Sequence, residues 1–314
     1  MQPKQNPAKK HHYIPEFYQK GFCQPNGQTW RYRKDYNKIQ EKYPSAILYE
    51  LDLHTVSIRS KTTTMIETFY SGLEGQFAQY LAFIHSNTMN PAILSKLKND
   101  ANFIKILKYI IAFQHWRVPC NTIKAKNLSE KLLSLYDNAE TQTKELLKFD
   151  RKFIKLIQKK SKKPQALKIA QYLLLPILTF KHNLPLNNMR FFSIPNKEKT
   201  IFTSDKPISF DSEEMLFSFE EFAFPISKDL FIISTKNIAK RVDIKKLNSL
   251  IFSKSINYVI SDNKERLQHE IKAPLATISN IADCVIEFEE PDTQRPEPPD
   301  RKKLPPNNYQ LKDH

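Results

Sequence analysis

A chain of 314 residues can bury one large core or two modest ones, but its 4 glycines are too few for the pyrophosphate-cradling turns of dinucleotide and P-loop folds, and neither GxGxxG nor GxxxxGK[ST] occurs. The three cysteines, Cys23, Cys120 and Cys284, are odd in number and far apart, which excludes a disulfide framework and a thiolate zinc site; with no apolar leader and no membrane-length run, the expected setting is a reducing cytoplasm and no membrane. The net charge of +16 is concentrated between Pro91 and Thr200, where 22 lysines and arginines face 7 acids.

In chain order, residues 1–10 are polar and read as flexible. In KKHHYIPEFYQKGF, Pro15 suits the first position of a short helix that Gly21 would end. TWRYRKDYNKIQEKY then alternates apolar and polar residues, the period of one or two strands. From Thr64 to Ser86 the period becomes helical, with Ile66, Phe69, Leu73, Phe77, Tyr80, Leu81 and Ile84 on one face. Further helices are expected over 91–116, 121–145, 146–160 and 165–180, with breaks near Pro119 and Pro164. MRFFSIP, TIFTSD, FAFPIS and LFIIST are short β-rich runs. Helical spacing follows at 243–256 and 262–272, then a last strand, ADCVIEFE, at 282–289. Beyond residue 290 the proline-rich, charged sequence predicts a disordered tail. The fold class is α+β: a central mainly helical block (about 64–180) with a small, largely antiparallel sheet formed by N-terminal and C-terminal-third strands. It makes one domain over 11–289, with its sheet-rich part at about 186–289.

Several polar residues stand out against this frame. His11 and His12 precede the expected first helix, where free N–H groups and the dipole favour an anion that one imidazole would serve as base or metal ligand. The other reading is a capping histidine beside one packed on an aromatic. Glu67 and Glu74, two helical turns apart, share one side but are too distant for one metal ion unless another element enters between them. Arg117 ends an apolar helix, within reach of terminal carbonyls or of an anionic ligand. Thr203, Ser204 and Asp205 sit at a strand end, a position that presents catalytic groups and equally forms ordinary turns. Lys144, Lys148, Arg151, Lys152, Lys155 and Lys159 recur at helical intervals, as a stripe for a polyanion or as a solvated helix face.

HHYIPEFYQKGF, the strand around Trp30, Tyr32 and Arg33, IETFYSGLEGQFAQYL, QHWRVP, FTSDKPIS, and AFPISKDLFIIS followed by LNSLIFSKSINYVIS together resemble domain-of-unknown-function family 4238 over roughly residues 9–262. The resemblance implies an architecture and candidate polar positions, centred on the two histidines and TSD-x-P, without a reaction.

Two function classes follow. One is a metal-assisted, nuclease-like hydrolase of nucleic acid. In it His11, His12 and Asp205 are catalytic, His12 and Asp205 hold a divalent ion (Mg or Mn), Arg117, Thr203, Ser204, Glu67 and Glu74 bind ligand, and the basic stripe carries the polymer. The other is a non-enzymatic nucleic-acid- or partner-binding component of a bacterial defence or toxin system. The HNH nuclease pattern fails for want of its downstream Asn and closing His. No GxSxG and no activated cysteine supports a nucleophilic triad.

Overall fold

The computed structural model describes residues 10–58, 61–88, 90–194, 200–236, 241–272, 278 and 280–286. The predicted tail from residue 290, and all but Lys10 of the predicted flexible start, lie outside the described residues.

β1 (Lys10–His12) leads into one helical turn, α1 (Glu16–Gln19). The next turn, Lys20–Phe22, contains Gly21, whose missing side chain lets the main chain approach the Ile226 carbonyl; a Cβ there would stand 3.0 Å from that oxygen. The alternating run becomes a hairpin of β2 (Thr29–Arg33) and β3 (Lys38–Lys42), turned at Asn37 with φ of 46°. Three short strands follow, β4 (Tyr49–Leu51), β5 (Val56–Ile58) and β6 (Lys61–Thr63).

The helical block comprises α2 (Met65–Ser86), α3 (Pro91–Leu97), α4 (Ala101–Arg117), α5 (Thr122–Ser129), α6 (Leu132–Asn138), α7 (Thr141–Leu147), α8 (Arg151–Lys159) and α9 (Pro164–Ile169). A π-helical turn at 170–174 then leads to α10 (Leu175–Leu178). α2 buries Ile66, Tyr70, Phe77, Leu81 and Ile84, and from Ile110 to Arg117 every residue of α4 is buried. The helix expected over 91–116 divides because the Asp100 carboxylate accepts the Phe103 N–H at 2.9 Å and starts a new helix.

The last third contains β7 (Met189–Ser193), β8 (Thr203–Ser204), α11 (Glu213–Phe217), β9 (Phe222–Ser227), β10 (Leu230–Ser234), β11 (Arg241–Val242), α12 (Ile244–Lys254), β12 (Tyr258–Ser261), α13 (Lys264–Lys272) and β13 (Val285–Ile286). One antiparallel sheet has the order β3-β2-β12-β8 and so joins strands from both ends of the chain; a second runs β7-β10-β9. β12 separates two cores by simple alternation. Ile260 packs with the helical block, while Val259 packs with Tyr32, Phe202 and the buried face of α12. The α+β class and its antiparallel sheet are those the sequence implies.

The basic stripe is divided. Lys148 adopts a left-handed conformation, φ 52°, that ends α7, and Asp150 starts α8 by accepting the Phe153 N–H at 2.7 Å. Arg151 grips Asp137 with two hydrogen bonds of 2.7 and 2.8 Å, and Lys144 donates to the Asp137 carbonyl at 3.1 Å. Lys152, Lys155 and Lys159 keep the exposed face of α8.

Candidate functional site

His11 and His12 belong to β1, opposite Glu50 and Tyr49 of β4, so the anion-holding helix start expected there is not what forms. α1, at four residues, is too short to offer one. Strand alternation sends the two imidazoles to different sides. His11 is 2% exposed, while His12 sets its ring edge-on to Tyr49 and its Nε2 3.5 Å from Glu16. Burial lowers the His12 pKa, against the opposing pull of Glu16.

The inward histidine meets another that the sequence reading did not single out. After β4 the chain turns through Asp52, at φ 54°, and Thr55 N–H returns to the Asp52 carbonyl at 3.2 Å. Lys168 of α9 clasps this turn, its Nζ donating to the carbonyls of Asp52 (2.6 Å) and Thr55 (3.1 Å). Gln165 accepts the Ser57 N–H at 2.8 Å. The turn drives His54 into the interior, fully buried, with its ring stacked on His11 at 5.4 Å and 10°. Its main-chain N–H donates to His11 Nδ1 at 3.0 Å, and its own Nδ1 is hydrogen-bonded to Glu67. Tyr70 and Tyr172 each close on the His54 ring edge-to-face at 5.0 Å, and the Tyr70 hydroxyl donates to the Tyr172 carbonyl at 3.0 Å.

These contacts fix protons. Burial pushes the His54 pKa down to about 3, only partly offset by Glu67, so the ring is neutral; Nδ1–H donates to the carboxylate and Nε2 keeps its lone pair. Burial alone would raise Glu67, yet the His54 hydrogen bond and the nearby Arg117 charge hold it below the ordinary glutamate value. Arg117 pairs with Glu74 and lies 4.5 Å from the Tyr70 ring centre. Glu67 and Glu74 are therefore bridged by other elements: the first takes His54, the second Arg117, with Tyr70 between. A cavity of about 20 Å³, room for one water, adjoins Tyr70, Glu74, Gln114 and Arg117.

One ligand atom from each of His11, His54 and Glu67 lies within 4.8 Å of the other two. Nε2 of His11, Nε2 of His54 and Nε of Arg117 are enclosed and have no hydrogen-bond partner among the described residues. The strand-end residues are engaged elsewhere. Thr203 shares a hydrogen bond of 2.8 Å with the Tyr18 hydroxyl, and Ser204 closes a turn with the Lys206 N–H and carbonyl. The Asp205 carboxylate is buried and accepts the N–H groups of Ile256, Asn257 and Tyr258 at 2.9, 2.7 and 3.1 Å. His12 and Asp205, expected to share a metal, thus face different partners, Glu16 and the turn before β12. The grouping that forms is His11, His54 and Glu67. His54 carried only a weak signal, a histidine between apolar Leu53 and Val56 in a segment too short to show a period.

A family model described as a protein of unknown function (DUF4238) matches residues 10–265. No curated protein and no solved structure matches the chain. The family match takes in β1, the His54 turn, α2, α4 and the β3-β2-β12-β8 sheet, and the chain belongs to the DUF4238 family.

Proposed function

We propose that the chain is a metal-assisted hydrolase of nucleic acid, centred on His11, His54 and Glu67. The observation that carries this reading is the convergence of two buried imidazoles and a half-buried carboxylate, one ligand atom of each within 4.8 Å of the other two. That donor set is the one hydrolytic zinc centres use, and imidazole nitrogen suits zinc better than the magnesium or manganese expected from the sequence. His11, His54 and Glu67 would hold the cation, which would take the place of the hydrogen bond between His54 and Glu67. Bound there, the ion would supply an acidified water. Arg117, steadied by Glu74 and the Tyr70 ring, sets a positive charge beside the group, suited to a phosphodiester. The overall charge of +16 favours a polyanionic substrate.

Purified protein is expected to retain about one zinc through dialysis and to cleave DNA or RNA until the ion is chelated. His54→Ala and Glu67→Gln should each lower both metal affinity and cleavage by roughly 100-fold or more. Metal retention without cleavage of any nucleic acid would leave the non-enzymatic binding role; neither retention nor cleavage would overturn the centre altogether.

A further inference from the structure

We propose that the exposed end of the β2–β3 hairpin is a binding platform for single-stranded nucleic acid. The strand register places Arg31 opposite Gln40 and Arg33 between Lys38 and Tyr258, so these side chains share one face, which is covered where Thr29 and Ile260 are buried and open toward the hairpin turn. The reverse face carries Trp30, Tyr32 and Ile39 into the core beside Val259. On the open face cations and rings alternate. The Arg33 guanidinium lies 4.1 Å from the Tyr36 ring centre and 5.6 Å from that of Tyr258, and Arg31 lies 5.1 Å from Tyr258. Tyr36 is 67% exposed and Tyr43, just past β3, is 54% exposed.

Among the described residues one acid acts on this face: Asp35 pairs with Arg33 through two hydrogen bonds at the hairpin turn, leaving Lys38 and Lys42 as its free-standing charges, whereas Glu41 is on the reverse side, held by Gln24 at 2.8 Å. Arg31 meets a neutral partner, Gln40, at 2.9 Å, while its Nε is enclosed without a partner among the described residues. Guanidinium and ammonium groups for phosphates, interleaved with ring faces for bases, are what sequence-tolerant single-strand binding requires. An acidic protein would match the charge but leave exposed Tyr36 without a stacking partner, so nucleic acid is the better fit.

The platform also leads toward β1. Tyr43 follows β3, the next residue, Pro44, approaches the His12 ring, and Arg31 lies near Tyr13. That a bound strand is thereby delivered to His11, His54 and Glu67 rests on the hydrolase reading; binding itself does not.

The test is fluorescence anisotropy of a labelled 20-nucleotide oligo(dT) at low and moderate salt, with melting curves for every variant. Tyr36→Ala, at an exposed position, is expected to weaken binding about fivefold without changing the melting temperature. Arg33→Gln combined with Lys38→Gln and Lys42→Gln should weaken it at least about tenfold and flatten the salt dependence. Lys152→Gln with Lys155→Gln on α8 should leave affinity within about twofold. The proposal is overturned if the wild type does not bind the oligonucleotide, if the hairpin variants bind as it does, if the α8 variant is the one that fails, or if polyglutamate competes as well as poly(dT). Retained binding with no cleavage by the wild type would remove the hydrolase and leave this platform standing.

Discussion

Acidification from pH 6.5 to about pH 4 is expected to unfold the protein progressively, with stability level above that range. Burial pushes His54 and His115 down to about 3 and His182 to about 4, each from an ordinary value near 6.5. His115 sits among Trp116, Phe180, Phe210 and Phe217, and its Nε2 has no hydrogen-bond partner among the described residues. The sign follows from proton counting. Below pH 6.5 the unfolded chain protonates these imidazoles while the folded chain does not, so falling pH favours the unfolded state. Each fully buried imidazole contributes about 1.4 kcal/mol per pH unit, so the three together approach about 4 kcal/mol per unit, against a typical total stability of about 5–15 kcal/mol. His182 contributes least, because part of its side chain keeps contact with solvent. Glu67 acts in the same direction at lower pH: its depressed pKa gives stability that is present above its unfolded value and is lost as pH falls through its folded one. Urea melts at pH 7.5, 6 and 5 should show the midpoint falling, and His115→Met should reduce the slope by roughly a third. A midpoint unchanged between pH 7.5 and 5 would mean that these rings are not buried as neutral imidazoles.

Asp205→Ala is expected to cost about 3–6 kcal/mol of stability. Its carboxylate accepts three successive main-chain N–H groups, and its loss leaves donors next to a buried strand without a partner. Burial lifts the carboxyl above the ordinary aspartate range against those bonds and the Lys34 charge. Lys34 serves the same corner, its Nζ donating to the carbonyls of Phe252 and Ser255 at 2.6 and 2.7 Å. Asp205→Asn is expected to be intermediate, since an amide offers one acceptor oxygen and turns N–H groups toward N–H groups. Thermal melts should show a drop of roughly 10 °C for the alanine variant. An unchanged melting temperature with abolished nucleic-acid cleavage would return Asp205 to the chemistry.

What was legible in the sequence is what depends on neighbours along the chain. The period-2 run of the hairpin, the period of α2 and the β-rich run that became β9 all formed, because burial selects one face of each whatever packs on it. The break at Lys148 was readable in part, since Asp150 is a good helix start three positions before Phe153. The candidate centre was legible only in its pieces. His11 and Glu67 carried visible signals, but the residue that joins them is 43 positions from one and 13 from the other, on a turn that Lys168 holds from a further helix. Asp205 shows the converse. Its place at a strand end could be read, whereas the direction of its carboxylate depends on the turn at 256–258, about fifty residues later. No local pattern encodes that choice.

The sheet that unites the two ends of the chain also bears on how the protein is made. The Thr29 hydroxyl donates to the Ser261 carbonyl across 232 positions, and β2 has no neighbour on its inner edge until β12 emerges from the ribosome. At ordinary synthesis rates that is a delay of roughly ten to fifty seconds, during which a hairpin rich in arginine and tyrosine stays open to other molecules. The lysines and arginines along it then have a second use: like charges on nascent copies repel one another and discourage edge-to-edge association before the partner strand arrives.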